Sequence, residues 1–552
     1  MPFTKNLRPE AAGNESAFFA LAPRFDAWTA FGGIVSSAGS RTSRVARNVA
    51  VSILAQVVFV ALGFVTRTIF VTQLGVETLG VHSLLISVLA MLALADLGIN
   101  GAVMYSLYKP LRDGDAERTA AIVLYARRLF RWIALVVAVL GLMLTPFVHR
   151  LVRLENDVEM LEVYFLILLA NTVVTYLMQN RVILLNADQR IYLVKTYSMV
   201  FNLLRSVAQI VVLLTLSSFV FFLVIQVVFT VTNNVFVYVR AGRIYPYIKG
   251  PAPRLDKADR RSILAATRAV LVYRVGNLVL NNATPVLISV LVGTAVLGYY
   301  ANYMLVVGAA IMITEVAFVA LSPSVGSLVA GGDKQAQRRV FDSVTMISVL
   351  IHGFIAVGVV TLVDDFVLLW FGPEFVLPGD VVIFIAVSFY VAATVRPLWS
   401  FLTATGLFRK TRLMILVTAV LSIGLAFGLE QFLGLAGIVI APGLAQLLVQ
   451  AWYEPRILVR DHFAGKLLPY YVLQVAAFVL WGVVALGIFL AGEWVPGGPF
   501  TSLTVKTGLL VIIFPLVSWV AFGRTEAFRS LACRLGELVK EIRRRSDKEP
   551  AV

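Results

Sequence analysis

Residues 75–80 read Gly-Val-Glu-Thr-Leu-Gly, and residues 293–298 read Gly-Thr-Ala-Val-Leu-Gly, 218 positions further along the chain. A second pair of matches, Gly114-Asp115 and Gly332-Asp333, has the same offset. Within each copy, the distance between the two motifs fits one long helix that crosses a membrane, followed by a turn. The shared offset therefore predicts an internal repeat, with the first motif at one membrane surface and the second at the other.

The composition indicates that most of the chain lies in lipid. Hydrophobic residues make up 59% of the sequence and charged residues only 14%, whereas about 25% of the residues in a typical soluble domain are charged. A membrane helix needs about 20 mostly apolar residues. The sequence therefore predicts an all-α, polytopic membrane protein with about 14 transmembrane helices. The approximate spans are 47–73, 77–108, 119–148, 158–180, 190–216, 218–240, 262–292, 296–326, 340–363, 380–406, 411–431, 434–455, 467–492 and 503–523.

Lysine and arginine concentrate in alternate connections between these spans. The intervening connections hold only Arg150, Arg153 and Lys506, and the connection 363–380 is acidic. This pattern follows the positive-inside rule and places both termini in the cytoplasm. The net charge of +16 is then explained by contact with anionic membrane lipids, and nucleic acid is not an expected partner.

The repeat and the spans together predict the domain organisation. Six spans separate the two copies of the repeat, so both copies face the same way across the membrane. Two six-helix lobes with a cleft between them are expected, and substrates of such folds bind near mid-membrane between the lobes.

The tail is basic and amphipathic, which fits an anionic membrane surface or, alternatively, a solvated terminal helix. The predicted segments are a cytoplasmic N-terminal segment (1–46), a first lobe (47–243), a basic cytoplasmic linker (244–261), a second lobe (262–460), two further spans (461–523) and the tail (524–552).

Several charged residues lie deep within the predicted spans, where each charge costs about 2.5–3.5 kcal/mol. At about 1.5 Å per residue, four of them lie about 15–20 Å from the cytoplasmic ends of their helices, close to one level. These four are Asp96, Arg274, Glu315 and Arg396. Arg67 lies nearer the outer surface, Arg205 lies within the fifth span, and Arg268 is shallower.

Two interpretations of these residues compete. Arginines between two lobes suit an anionic ligand, above all phosphate, and carboxylates within the membrane suit coupling to H⁺ or Na⁺. Alternatively, the acids are neutral and structural, Arg274 and Arg396 neutralise them, and Arg67 extends its side chain to the surface. Asn277 and Asn281 lie on the same helix as Arg274. They either line a water-filled cavity or form hydrogen bonds between helices.

The run from Arg67 to Gly80 and the run Asp96-Leu-Gly-Ile-Asn-Gly-Ala102 resemble the first outer turn and the second-helix signature of Wzx-type polysaccharide flippases. These proteins belong to the multidrug/oligosaccharidyl-lipid/polysaccharide exporter superfamily. The resemblance covers most of the chain in topology. In motifs it covers about residues 45–120 and, more faintly, 290–340.

The resemblance implies lobes arranged in a V around a cationic cavity, in the inner or plasma membrane of a bacterium or archaeon. It implies that the protein flips an undecaprenyl-pyrophosphate-linked oligosaccharide, with Arg67, Arg268, Arg274, Arg396 and Arg205 as candidate binding residues, joined by Asn277 and Asn281. Asp96 and Glu315 are the candidates for ion coupling. Spans 13 and 14 would hold the lipid tail, as they do in lipid II flippases. The chain lacks those flippases' arginine–aspartate pair early in helix 1, which favours a polysaccharide repeat unit, and a glycan polymerase becomes a candidate partner.

Three other functions compete with this one. A cation-coupled multidrug exporter usually has twelve spans and an acidic cavity. A membrane glycan-processing enzyme usually has a large loop or domain, so an enzyme is not expected. A purely structural scaffold would not need several charged residues buried at one depth in the membrane. No metal site is predicted, because Cys533 is the only cysteine and the four histidines are dispersed. No cofactor is predicted either, and the absence of a P-loop motif from the sequence indicates that no ATPase in this chain drives the cycle.

Overall fold

The computed structural model describes residues 41–93, 98–153, 160–248, 250 and 254–529. Two compact units divide the chain, Met1–Ala61 and Leu62–Val552. The first unit contains the beginning of helix α1, and the second contains the remaining helices. The helices are α1 (Arg41–Leu92), α2 (Ile99–Asp113), α3 (Ala116–Leu144), α4 (Val148–Leu151), α5 (Leu161–Ala187), α6 (Ile191–Leu216), α7 (Phe219–Ile244), α8 (Lys257–Leu291), α9 (Thr294–Ala330), α10 (Lys334–Trp370), α11 (Gly379–Ala404), α12 (Phe408–Leu433), α13 (Leu435–Leu448), α14 (Gln450–Pro455), α15 (Leu468–Glu493) and α16 (Pro499–Phe522). Three 3₁₀ turns (Thr145–Phe147, Pro246–Ile248 and Pro373–Phe375) and a π-helix (Arg456–His462) complete the described elements.

The prediction of an all-α membrane protein is confirmed. Thirteen helical segments within the described residues are long and apolar enough to cross a membrane. The first of them contains Gly75, whose φ of 82° and ψ of 165° are not helical. Gly75 lies between the predicted spans 47–73 and 77–108, so this break accounts for the difference between thirteen segments and about 14 predicted spans.

The repeat in the sequence is also a repeat in the backbone. Gly75 and Gly293 have φ values of 82° and 153°, and Gly114 and Gly332 have φ values of 71° and 79°. After each of the latter glycines, an aspartate begins the next helix. The carboxylate of Asp115 accepts a hydrogen bond from the amide of Arg118, and that of Asp333 accepts from the amides of Gln335 and Ala336. Each motif therefore has the same backbone form in both copies. The glycine has a positive φ in every case, and after Gly114 and Gly332 an aspartate caps the next helix.

The two copies of the first motif also contact each other. A Cβ atom on Gly80 would lie 1.9 Å from the carbonyl oxygen of Thr294, and one on Gly298 would lie 2.1 Å from that of Val76. Positions 76 and 294 are equivalent in the repeat, as are 80 and 298. The same two positions thus meet reciprocally, as a two-fold relation between α1 and α9 requires. Glycine permits this close approach of two helices within a membrane.

The last two spans, α15 and α16, pack against α10. A Cβ atom on Gly353 of α10 would lie 2.3 Å from the Nε1 atom of Trp481 in α15. In α16, Lys506 Nζ lies 2.8 Å from Asp365 Oδ2, and Ser502 donates a hydrogen bond to the same oxygen. The prediction of Asp365 in the connection 363–380 is therefore wrong, whereas Lys506 lies inside the predicted span 503–523. Both lie within helices, because each charge is neutralised by the other.

Asp364 is likewise a helical residue rather than part of the predicted connection 363–380. Its carboxylate accepts a hydrogen bond of 2.6 Å from the Tyr303 hydroxyl of α9, and the same hydroxyl accepts one from the amide of Leu377. These contacts allow α10 to continue to Trp370. The predicted N-terminal segment, up to residue 40, and the predicted tail, from residue 530, lie outside the described residues.

Candidate functional site

Helix α8 carries a row of uncovered polar side chains within its apolar length. Arg274, Asn277 and Asn281 are exposed, and their spacing of three and four residues places them on one face of the helix. Arg268 is also exposed, but six residues before Arg274 it lies on another side of α8. We call Arg274, Asn277 and Asn281 the α8 stripe. Burying these polar groups in hydrocarbon would be energetically unfavourable. This face of α8 is therefore expected to border water or a polar ligand.

The other side of α8 is packed. Leu280 clusters with Ile415 and Ala419 of α12, and a Cβ atom on Gly276 would lie 2.9 Å from the carbonyl carbon of Ile415. Because α12 covers this side, the α8 stripe points away from it. The packing therefore fixes the rotation of α8 about its axis.

The two asparagines of the α8 stripe bond to each other within the helix. Asn281 Nδ2 donates to the main-chain oxygen of Asn277 at 2.6 Å and to its Oδ1 atom at 3.1 Å. The alternative prediction, that these amides hydrogen-bond between helices, is not what the structure has. Both side chains keep exposed polar atoms that a ligand can contact.

Helix α8 lies between the first half of the chain (residues 62–248) and the rest of the second half (residues 254–529). Near its beginning, Arg118 of α3 makes two hydrogen bonds to Asp259, at 2.9 and 3.1 Å. Near its end, the hydroxyl of Ser289 donates to the main-chain oxygen of Leu151, at 3.0 Å. The α8 stripe lies along the helix between these two contacts, at the boundary between the halves.

Arg396 belongs to the neighbouring helix α11, which α8 contacts through aromatic rings. The rings of Tyr273 and Trp399 stack with their centroids 3.7 Å apart and their planes 9° apart. Arg274 follows Tyr273 directly, and Arg396 precedes Trp399 by one turn. Arg396 is half-buried. Arg274 and Arg396 thus each lie within about one helical turn of the contact between α8 and α11.

The other two predicted arginines lie together in the first half. Arg67 of α1 and Arg205 of α6 both act electrostatically on the ring of His82. The Nη1 atom of Arg67 is enclosed by protein, and the residue as a whole is half-buried. His82 was not a predicted site residue, because only the tertiary fold brings it to the two arginines.

The predicted ion-coupling residues are outside this description. Asp96 lies outside the described residues, and Glu315 lies in α9 but its side chain is outside them. A different acid is buried nearby. Glu454 of α14 is only 1% exposed and interacts electrostatically with Tyr273. Sequence reasoning missed it because it lies at the end of an apolar run.

Long apolar helices and an internal repeat define a multi-pass, all-α membrane protein built from two related halves. A family model described as polysaccharide biosynthesis protein matches residues 45–329, slightly more than half of the chain. The chain therefore belongs to the polysaccharide biosynthesis protein family, and its resemblance to Wzx-type flippases is confirmed at that level. No curated protein matches the sequence.

Solved structures share the fold. The lipid II flippase MurJ in an inward closed conformation matches with a TM-score of 0.59 and 10% identity, over 85% of this chain and 98% of that one. An inward-facing multidrug resistance transporter of the MATE family, MOP superfamily, matches with a TM-score of 0.57 and 15% identity, over 71% and 93%. A mutant of the Vibrio cholerae MATE transporter VcmN matches with a TM-score of 0.54 and 14% identity, over 75% and 97%. This chain thus has the fold of MOP-superfamily transporters.

Proposed function

We propose that the protein flips a polyprenyl-pyrophosphate-linked oligosaccharide, a polysaccharide repeat unit, from the inner to the outer leaflet by alternating access. The α8 stripe carries this proposal, because it presents one guanidinium group and two amides at the boundary between the halves. Membership of a polysaccharide biosynthesis family supports a glycan substrate. The protein is then a transporter rather than an enzyme, in a prokaryotic cell membrane with both termini cytoplasmic.

The chemistry of the stripe matches the two ends of such a head group. Guanidinium groups bind phosphate oxygens through paired hydrogen bonds and remain charged. Arg274 would therefore hold the pyrophosphate, together with Arg396 on the neighbouring helix. Amide groups both donate and accept, as sugar hydroxyl groups require, so Asn277 and Asn281 would contact the glycan.

Energy for the cycle would come from an ion gradient. Asp96, Glu315 and Glu454 are the carboxyl groups proposed to carry H⁺ or Na⁺. The lobes, arranged in a V as the family resemblance implies, would open alternately to the two sides. Helices α15 and α16 would provide the surface along which the lipid tail moves, and a glycan polymerase would receive the product.

A multidrug exporter is the second candidate, since MATE transporters share the fold. The α8 stripe argues against cationic drugs, because its one charged residue is Arg274, which makes no ion pair within the described residues. Arginines at that position would repel a cation and attract an anion. A fluorescent cationic drug therefore serves as the counter-substrate in the test.

The test is transport by purified protein in vesicles that contain a polyprenyl-pyrophosphate-linked oligosaccharide. Arg274→Gln and Arg396→Gln should each slow the appearance of the glycan at the opposite leaflet at least tenfold, about 1.4 kcal/mol of lost interaction. Arg112→Gln is the matched control, because Arg112 is 77% exposed and bonds only its neighbour Asp113. Wild-type rates in both variants, or export of the cationic drug instead, would contradict the proposal.

A further inference from the structure

Helix α3 is longer than the membrane is thick. Together with the short turn and helix that follow it, α3 forms one apolar segment of 36 residues, Ala116–Leu151, with a length of about 54 Å. The hydrocarbon of a bilayer is about 30 Å thick, so about 20 helical residues cross it. Counted back from Leu151, this length ends near Arg131. The first part of α3 therefore lies on the predicted cytoplasmic side of the hydrocarbon, and Arg131 lies at the level of the lipid head groups.

The exposed side of α3 changes from basic to apolar at this level. Arg128, Arg131 and Trp132 are exposed, and their spacing of three and four residues places them on one face of the helix. Leu135 and Val139 continue this face toward the other membrane surface and are 52% and 43% exposed. We call these five residues the α3 face.

The opposite side of α3 is covered by protein. Phe130, Ala134 and Val137 lie on that side and are buried. A Cβ atom on Gly141 would lie 2.4 Å from the Cδ1 atom of Leu169 in α5. Because α5 packs against this side, the α3 face points away from the helix bundle and toward lipid.

The two arginines of the α3 face lack an acidic partner. Within the described part of the chain, neither Arg128 nor Arg131 forms an ion pair. A long arginine side chain can extend along a helix to the phosphate level, and its guanidinium group binds phosphate oxygens through paired hydrogen bonds. Tryptophan favours the boundary between head groups and hydrocarbon, where Trp132 lies. The α3 face therefore matches a phospholipid from its phosphate to its acyl chain.

We propose that the α3 face is a binding site for an anionic phospholipid of the cytoplasmic leaflet, of the phosphatidylglycerol type. Arg128 and Arg131 hold the phosphate group, and an acyl chain lies along Trp132, Leu135 and Val139. A zwitterionic lipid carries a cation in its own head group, which the two arginines repel. The overall excess of basic residues predicts only a diffuse attraction to anionic lipid, whereas this site predicts selectivity at one face of one helix. The site uses no residue of the α8 stripe and does not depend on the proposed function.

The experiment measures which lipid contacts Trp132. The purified full-length protein is placed in phosphatidylcholine bilayers that contain brominated phosphatidylglycerol or brominated phosphatidylcholine, whose bromine atoms quench tryptophan fluorescence on contact. The contribution of Trp132 is the difference between the wild type and Trp132→Phe. Its quenching should reach half of the maximum at a mole fraction of brominated phosphatidylglycerol at least about tenfold lower than for brominated phosphatidylcholine. Arg128→Gln and Arg131→Gln should each reduce this preference about fivefold, and the double variant should show no preference.

Arg112→Gln is the matched control, because Arg112 is an exposed arginine of the neighbouring helix α2, and it should keep the preference. Trp494, which follows α15 at the predicted outer surface and is 87% exposed, should show no preference when Trp494→Phe isolates its contribution. The proposal is overturned if both lipids quench Trp132 equally, if the double variant keeps the preference, or if Arg112→Gln loses as much of it as the double variant. Absence of quenching by either lipid would also overturn it, because protein rather than lipid would then cover the α3 face.

Discussion

Glu454 is a carboxyl group in surroundings that give it a single polar partner. Gln450 Nε2 donates to its Oε1 atom at 3.3 Å, and its Oε2 atom is enclosed without a hydrogen-bond partner in the described chain. The residue directly precedes Pro455 and the π-helix Arg456–His462, and π-helical turns are frequent at functional sites. Burying a carboxylate without a cation is costly. Glu454 is therefore proposed as a proton carrier in addition to Asp96 and Glu315, whose side chains lie outside the described residues.

Glu454→Gln keeps the shape of the side chain and its bond to Gln450 but cannot carry a proton. We expect the variant to reach wild-type levels in the membrane and to lose at least tenfold of the acceleration that an imposed pH gradient gives to glycan transport, about 1.4 kcal/mol. Vesicle transport with and without the gradient measures this ratio. Glu493→Gln, at an exposed helix end, should respond normally. A normal gradient response in Glu454→Gln would remove Glu454 from the coupling mechanism.

At the scale of helices, the reciprocal crossing of α1 and α9 depends on two glycines. Gly80 and Gly298 each face a main-chain carbonyl of the other helix at a distance that leaves no room for a methyl group. A carbonyl oxygen belongs to the backbone and cannot rotate aside as a side chain can. The two helices must therefore move apart if either glycine is replaced.

Gly80→Ala should lower the free energy of unfolding by about 1–3 kcal/mol, as overpacking usually does. Thermal unfolding of the purified protein measures the change. Gly308→Ala is the control, because nothing lies within 4 Å of a Cβ atom there and alanine favours a helix interior. Equal stability of Gly80→Ala and Gly308→Ala would show that the helices are not in close contact.

The sequence predicts the helices well because the thickness of hydrocarbon limits their length. The predicted span 190–216, for example, corresponds to Ile191–Leu216. Charges mark where sequence reasoning ends a span, and there it failed for Asp365, whose pairing with Lys506 joins two helices distant in sequence. The association of His82 with Arg67 and Arg205 was unpredictable for the same reason, because the three residues are distant in sequence. Arg274, Asn277 and Asn281 could be placed on one face from the sequence because they share one helix, α8, and follow each other at helical spacing.

At the scale of the whole molecule, alternating access requires contacts between the halves to break in turn at each end of the bundle. At the predicted outer end, the amide of Thr294 donates to the main-chain oxygen of Arg153 at 3.1 Å, and the amide of Arg153 donates to Thr294 Oγ1 at 3.1 Å. Two backbones this close are within reach of a disulfide. In a Cys533→Ser background, Arg153→Cys with Thr294→Cys should therefore cross-link under oxidation and stop glycan transport, and a reducing agent should restore it. Each single cysteine variant should transport under both conditions. Undiminished transport by the cross-linked protein would mean that these segments do not separate during the cycle.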